Sequence, residues 1–453
     1  MGAFLGMRGT GDWVTDQRPK NWREMLLRLY PNGDMPITGI LSKMKSEKVD
    51  DPEFNWWTKK FPEQAGAITG IYTDTSLSAA YSASYPSAAE GAPAGTTIYV
   101  KLAEATAKEF RLGHQVLLRC ASDPYVDVNC KVTAAPTLNG ASSYLTCKTL
   151  EDDDNSYDTF GASCHNLSDA DRIMVIGNIN AEGAAMPSSV VYDPVKYHNY
   201  TQIFRTSLSI TRTARKTRLR GPMAYQEAKR EALEIHGVEQ EKAFIWGIPT
   251  ETNGGASGGS SYPERTTGGI IDFVRTNVPA NFNSYDLNSD YSSKSWTATG
   301  GGESWLNAML EQLFRFGTGD RLGVCGSGVL LAIQELVRGG AHLNITPMVT
   351  SYGLKVVEWV TPFGIVYLKL HPLMSQEPST RKKLILLEMK NLNFRYIDDT
   401  VFYGEGERGE AAPGTNYQRL DATNEEFLTE AGLELHHPDT FMILDGFGNN
   451  NAV

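Results

Sequence analysis

The chain has 453 residues, 41% hydrophobic and 21% charged, which is ordinary globular usage and excludes wholesale disorder or a fibrous repeat. Its 42 Lys and Arg against 53 Asp and Glu leave a formal charge of −11, which argues against a protein that wraps nucleic acid by neutralising phosphates. A single core stops growing near ~250–300 residues, so two or three domains, or one domain with a large insertion, are expected.

The longest nearly apolar run, Leu322 to Ile333, is broken by Gly and Ser and falls short of the ~20 residues a bilayer requires. The opening MGAFLGMRGTGDW lacks the charged start and apolar stretch of a secretory signal, so no membrane partner is expected. The sequons at Asn166, Asn199 and Asn344 accordingly read as chance matches. Cys120, Cys130, Cys147, Cys164 and Cys325 form no C-x-x-C pair and read as reduced, mostly buried thiols.

Residues 1–50 read as an extended arm with one helix, in which Trp22, Leu26 and Tyr30 recur at helical spacing until Pro31 ends the run. EFNWWTKKF (53–61) alternates like a strand, which sends the adjacent Trp56 and Trp57 to opposite faces. Thr75 to Thr97 is rich in Ala, Ser and Pro, cannot build a core, and reads as a linker. From Ile98 to Val175, IYVKL, HQVLLRC, DVNCKVTAA, SSYLTCKTL and DRIMV follow one another as short strands of a small β-barrel or sandwich. YTQIFRTSLSITRT (200–213) alternates again and is expected to pair with EFNWWTKKF as the return of a long hairpin.

The strongest helix spans Pro222 to Trp246, about 37 Å at 1.5 Å per residue. Ala224, Ala228, Ala232, Ile235, Ala243 and Trp246 trace its small-residue stripe. Beyond a glycine-serine loop (254–261), Glu303 to Phe316 reads as a helix stopped by Gly317. RLGVC reads as a buried strand, and Gly328 to Arg338 as a helix. LKVVEWV and GIVYLKL flank a hairpin at Thr361-Pro362-Phe363, and KKLILLEM and TFMILDGF add strands. The fold class is therefore α+β, with helices on a mainly antiparallel sheet.

Candidate chemistry is sparse. Gly255 to Gly259 matches G-x-S-x-G, but with no strand before it and no helix after it the match reads as coincidence. His436, His437 and Asp439 have the wrong spacing for a metal, since neighbours on an extended chain face opposite ways. Asp152, Asp153, Asp154 and Asp158 lack the calcium-loop pattern and read as a solvated acidic loop. No catalytic residue, cofactor or metal site is assigned, and the chain is expected not to be an enzyme. One segregation of charge stands out: Arg205, Arg212, Arg215, Lys216, Arg218 and Arg220 lie in RTSLSITRTARKTRLR without an acid. The strip fits a solvated basic face, contact with phosphates, or pairing with an acidic face of a neighbouring copy.

Three stretches together carry a resemblance: GNINAEGAAMPSSVVYDPVKYHNYTQIFRTSLSITRTARKT (177–217), MAYQEAKREALEIHGVEQEKAFIWG (223–247) and RTTGGIIDFV (265–274). In combination, an EGA…NYTQIF segment, an E-x-A-F-x-x-G helix ending and a T-G-G-I turn resemble the major capsid proteins of tailed bacteriophages. The resemblance implies the Hong Kong-97-like coat fold, shared with herpesvirus capsid floors, here with a small all-β domain in the extended loop. By position it implies an N-terminal arm at 1–50 and an extended loop with an outgoing strand in 51–74 and a return in 191–221. A linker and β-domain at 75–190 would interrupt that loop. The spine helix and peripheral domain would occupy 222–299, the axial domain 300–375, and the return to the peripheral domain 376–453.

The implied function is structural: self-assembly into hexamers and pentamers of an icosahedral head enclosing double-stranded DNA, built in the host bacterial cytoplasm. The implied partners are copies of the same chain, scaffolding, portal and decoration proteins, and packaged DNA by non-specific proximity. Trp22, Trp56, Trp57 and the basic strip are the expected inter-subunit contacts, because aromatics and Arg dominate interfaces; ordinary core packing is the alternative for the tryptophans. An encapsulin-like cellular shell and a cytoplasmic β-rich hydrolase are the rival readings.

Overall fold

A computed structural model describes residues 45–82, 92–121, 126–153, 167–183, 185–217, 224–253, 262–338, 344–351, 354–404 and 422–448. The chain divides into two compact units, Met1–Thr58 with Lys196–Val453 and the intervening Lys59–Val195.

A seven-stranded sheet organises the first unit. Its order is β13 (Phe282–Ser284), β21 (Met442–Asp445), β18 (Leu384–Leu387), β14 (Asp320–Cys325), β17 (Ile365–Leu370), β16 (Leu354–Val360) and β15 (Asn344–Ser351). The β13–β21 and β14–β17 pairs are parallel and the others antiparallel. Its central strands are covered on both faces, which is why they read as unbroken apolar runs. In β18, Leu384 and Leu386 pack with Trp296, Trp305 and Leu310, while Ile385 and Leu387 pack with Phe244, Ile270 and Phe441. Helices Gly302–Leu313 and Ser327–Arg338 supply the first face; helix Ile270–Asn277 and the end of the long helix Ala224–Trp246 supply the second. The fold is α+β.

Four more strands form a second sheet in the order β1 (Ser46–Lys48), β19 (Leu392–Tyr403), β20 (Ala422–Leu435) and β10 (Gln202–Thr211). The segment expected to return along EFNWWTKKF therefore pairs elsewhere. β10 runs antiparallel to β20 from Gln202 opposite Ala431 to Thr211 opposite Ala422, while β2 (Glu53–Thr58) pairs with β9 (Val195–Tyr200). The reason lies in matched faces: Phe204 opposite Thr429 and Thr206 opposite Phe427 put the inward residues of both strands under the long helix. β19 and β20 were not among the strands expected from the sequence; in β20, FLTEAGLEL carries helix-like apolar spacing. β11 (Thr250–Asn253) and β12 (Pro263–Thr266) form a separate antiparallel ribbon.

The long helix corrects its own predicted stripe. Ile235 is exposed, and the buried side is Ala232, His236, Gln240, Glu241, Phe244 and Ile245. Polar groups lie on that face because hydroxyls meet them: Thr429 Oγ1 is 2.8 Å from His236 Nε2 and accepts from Gln240 Nε2 at 3.0 Å, and Thr206 Oγ1 is 3.0 Å from His236 Nδ1.

The second unit holds a closed barrel in the order β3 (Ala65–Tyr72), β4 (Thr97–Leu102), β7 (Tyr144–Thr149), β6 (Asp127–Val132), β5 (His114–Arg119) and β8 (Arg172–Asn178). Strict alternation sends Ile98, Val100, Leu102, Val128, Cys130, Val132, Leu145 and Cys147 inward. Three expectations change here. The barrel begins at β3, inside the stretch read as the outgoing loop. Tyr81 and Ala92, from the supposed linker, are buried in the barrel core. Asp153, read as part of a solvated loop, is buried: it accepts from the Tyr81 hydroxyl at 2.5 Å and from the Leu167 amide at 3.2 Å, closing one end of the core. Burial first, and then the Asp153 acceptor, push the Tyr81 phenol well above its ordinary value.

Cys130, Cys147 and Cys325 are buried free thiols and Cys120 is partly buried; burial pushes Cys147 and Cys325 up to about 12, so they stay protonated. Cys164 lies outside the described residues. Among the described residues no helix is long and apolar enough to cross a membrane.

Candidate functional site

The motif pieces that carry the resemblance meet at one junction. Gly247, which ends the long helix, approaches Gly269, whose amide donates to the Gly247 carbonyl at 2.9 Å. Asn199, in β9, clamps the turn: its Nδ2 donates to the carbonyls of Gly268 at 3.1 Å and Leu433 at 2.7 Å, and its Oδ1 accepts the Gly268 amide at 2.7 Å. Gln202 Oε1 accepts the Thr267 amide at 3.1 Å. The Asn199 amide is thus fully engaged and buried, in keeping with a chance sequon. Glu241 opens the E-x-A-F-x-x-G ending, and its Oε1 is 2.9 Å from His371 Nε2, both side chains wholly buried. His371 Nδ1 accepts the Met374 amide at 3.3 Å, so Nε2 carries the proton and donates to Glu241. The individual roles of Asn199, Thr267 and His371 were missed; the motif spacing signalled the first two, and nothing in the sequence signalled His371.

Two of the tryptophans separate as the strand period requires. Trp56 is buried within its own unit: its Nε1 donates to the Leu435 carbonyl at 3.0 Å and its ring lies 6.0–6.2 Å from Phe54, Tyr197 and Phe273. It is a core residue, the ordinary-packing alternative. Trp57 is 61% exposed. Trp22 lies outside the described residues.

The basic strip is partly answered by acids of the same chain. Arg205 donates to Glu426 on β20 through Nε at 2.9 Å and Nη2 at 2.5 Å. Arg215 stacks on Tyr225 at 4.8 Å, and the Tyr225 hydroxyl donates to Glu425 at 2.7 Å. Such exposed pairs contribute at most ~1 kcal/mol each. Arg212 and Lys216 are exposed on the short helix Arg212–Lys216, whose first turn is capped by the Thr211 hydroxyl at 3.2 Å from the Ala214 amide. Arg218 and Arg220 lie outside the described residues, as do the G-x-S-x-G match, Asp154 and Asp158.

At the other edge of this sheet Arg395 bridges Glu434 and Glu47, tying β1 to β19 and β20, and His436 reaches the second oxygen of Glu434. Burial alone would raise the Glu434 carboxyl, but the hydrogen bonds from His436 and Arg395 and the Arg395 charge outweigh it and hold it low. His436 is thus a partner of a carboxylate, and among the described residues no His, Cys, Asp and Glu group is placed to hold a metal ion. The arrangement is one of interlocked structural contacts and surface charge.

The sequence profile of the SU10 major capsid protein matches residues 8–448. A major capsid protein of Pseudomonas phage PaMx41 is 26% identical over 293 residues, spanning 61% of this chain and 65% of that relative, just under two thirds of its length. Among solved structures, one from Mycobacterium phage Bobi is similar over 97% of this chain and 99% of its own, at 8% identity and TM-score 0.42. The holo-SrpI encapsulin complex from Synechococcus elongatus is similar over 57% of this chain and 77% of its own, at 12% identity and TM-score 0.35. Matched over nearly its whole length, the chain belongs to the SU10 major capsid protein family, a family of structural coat proteins and not of enzymes.

Proposed function

We propose that this chain is the coat subunit of a tailed-phage head, assembling with copies of itself into hexamers and pentamers of an icosahedral shell around double-stranded DNA. The family match over residues 8–448 carries the reading. In this layout residues 1–50 are the arm, 51–64 and 191–221 the two limbs of the extended loop with the barrel from β3 onward between them, 222–299 with 376–453 the peripheral domain, and 300–375 the axial domain. Assembly takes place in the bacterial cytoplasm, with scaffolding, portal and decoration proteins as further partners and packaged DNA in non-specific proximity.

The physical basis is surface that a single copy leaves in water. Trp57 on β2, Ile203 on the outer face of β10 and Leu287 are exposed large apolar residues. β10 is the last strand of its sheet among the described residues, a place where a neighbour's backbone can pair. Lys216 and the basic residues that follow it set register against acidic surface of an adjacent copy. Arg205, already held by Glu426, contributes less than its exposure suggests.

Light scattering with negative-stain imaging of the purified full chain tests the proposal. Capsomers or closed shells are expected; a stable monomer at every protein and salt concentration would overturn it. Particles from infected cells are expected to contain nuclease-protected DNA, whereas particles filled with an enzyme would favour the encapsulin-like reading.

A further inference from the structure

Lys131 on β6 stands directly opposite Lys148 on β7 on the outer surface of the barrel. Like charges directly opposite on neighbouring strands destabilise a sheet unless something answers them. Nothing within the described residues does: neither lysine has a carboxylate partner there, in a chain with a formal charge of −11. Lys101 on the adjoining β4 faces the same way and is likewise without an ion pair among the described residues.

Tyrosines are interleaved with these cations. Tyr99 lies opposite Tyr72 on β3, Tyr144 lies opposite Lys101, and the Tyr99 and Tyr144 rings meet edge to face at 5.7 Å. A Cβ at Gly70 would lie 3.1 Å from the Tyr72 ring, so the absent side chain leaves that ring room against the barrel wall. Rings and cations thus share one outer face of the barrel, a tyrosine group beside a lysine pair, at the spacing of a sheet, about 5–7 Å between neighbours. Glu151 borders the face but is engaged by the amide and Nδ2 of Asn129.

We propose that this barrel face binds an acidic polysaccharide, a polymer in which each sugar ring carries a carboxylate. The tyrosine rings offer apolar surface on which a sugar ring can stack, and the lysines offer point charges to carboxylates. A protein partner fits less well, since Lys is depleted from interface cores and no large aliphatic anchor stands among these six residues. A nucleic-acid backbone fits less well, since the face has no Arg fork for phosphate and the chain as a whole is acidic. The proposal goes beyond a coat function and does not depend on particle formation.

Affinity electrophoresis of the full chain in gels containing alginate, dextran, poly-glutamate or single-stranded DNA tests it. Alginate is expected to retard the chain, with at least a fivefold loss of apparent affinity in Lys131→Gln, Lys148→Gln and Tyr99→Ala. The lysine variants relieve a like-charge pair and are expected to fold, and Tyr144→Ala provides a second aromatic probe should Tyr99→Ala fail to. Absence of retardation by alginate overturns the proposal. So does equal retardation by poly-glutamate or DNA, or alginate binding unaffected by the tyrosine variants, each of which marks a plain charge patch.

Discussion

Gly269 donates its amide to the carbonyl of Gly247, and each glycine stands where the other segment's backbone leaves no room for a side chain. A Cβ on Gly247 would overlap the carbonyls of Thr267 and Ala243, and one on Gly269 would lie 2.7 Å from the Gly247 nitrogen. Backbone cannot yield as a side-chain tip can. Gly247→Ala and Gly269→Ala are each expected to cost about 3 kcal/mol, read as a lowered urea midpoint at unchanged slope. Gly237→Ala, on the open side of the same helix with nothing within 4 Å, is expected to stabilise by about 0.5–1 kcal/mol.

Asn199 satisfies three backbone groups of two other segments from one buried side chain. Asn199→Ala leaves them unpaired and is expected to cost about 2–4 kcal/mol by chemical denaturation. Asn199→Asp should be no better, because it sets a carboxylate oxygen against the carbonyls of Gly268 and Leu433.

His236 joins the long helix to Thr206 and Thr429, and burial holds its imidazole below the ordinary value, with Glu239 pulling more weakly the other way. The unfolded chain therefore takes up a proton more readily than the folded one. Stability is present above the ordinary histidine value near ~6.5 and falls as pH drops through it. Denaturation midpoints measured from pH 7.5 to 5.5 should decline in the parent chain and decline less in His236→Gln.

Glu434 and Glu47 are both held below the ordinary carboxylate range: Glu434 by hydrogen bonds that outweigh its burial, Glu47 by Lys45 and Arg395. Their contribution is present above the unfolded value near ~4.5 and is lost as pH falls through the depressed folded values, a lower window than that of His236. Arg395→Ala leaves Glu434 buried beside only His436 and is expected to cost about 3 kcal/mol. It also frees β1, so tryptic cleavage after Lys45 and Lys48 should accelerate before global unfolding; unchanged cleavage would show that the parallel pairing of β1 with β19 suffices alone.

Trp56→Ala should cost about 3–5 kcal/mol, because it empties a packed aromatic site. Trp57→Ala should change stability by less than about 0.5 kcal/mol yet raise the protein concentration at which particles form, measured by light scattering. Loss of stability in both, with assembly unaffected, would remove Trp57 from the proposed contact.

Much of the fold was legible where one segment decides its own structure. The period of two in EFNWWTKKF separated Trp56 from Trp57, and LKVVEWV with GIVYLKL formed the hairpin around Thr361 that their turn indicated. The long helix ends at Trp246 with Gly247 following it, and RLGVC became a strand buried on both faces. The motif spacing of Glu241 to Gly247 and Thr267 to Ile270 indicated the family without revealing why those residues are needed.

What the chain alone determined, then, is the local period, the punctuation by Gly and Pro, and the surplus of acid. Only the tertiary structure decided that β10 lies against β20, more than two hundred residues away, and that β2 takes β9. It also decided that His236, Asp153 and Glu241 are interior. Periodicity specifies which side of a segment is buried but not what buries it. A polar side chain can enter a core wherever a distant segment brings the complementary donor or acceptor, and that match exists only once the two segments meet.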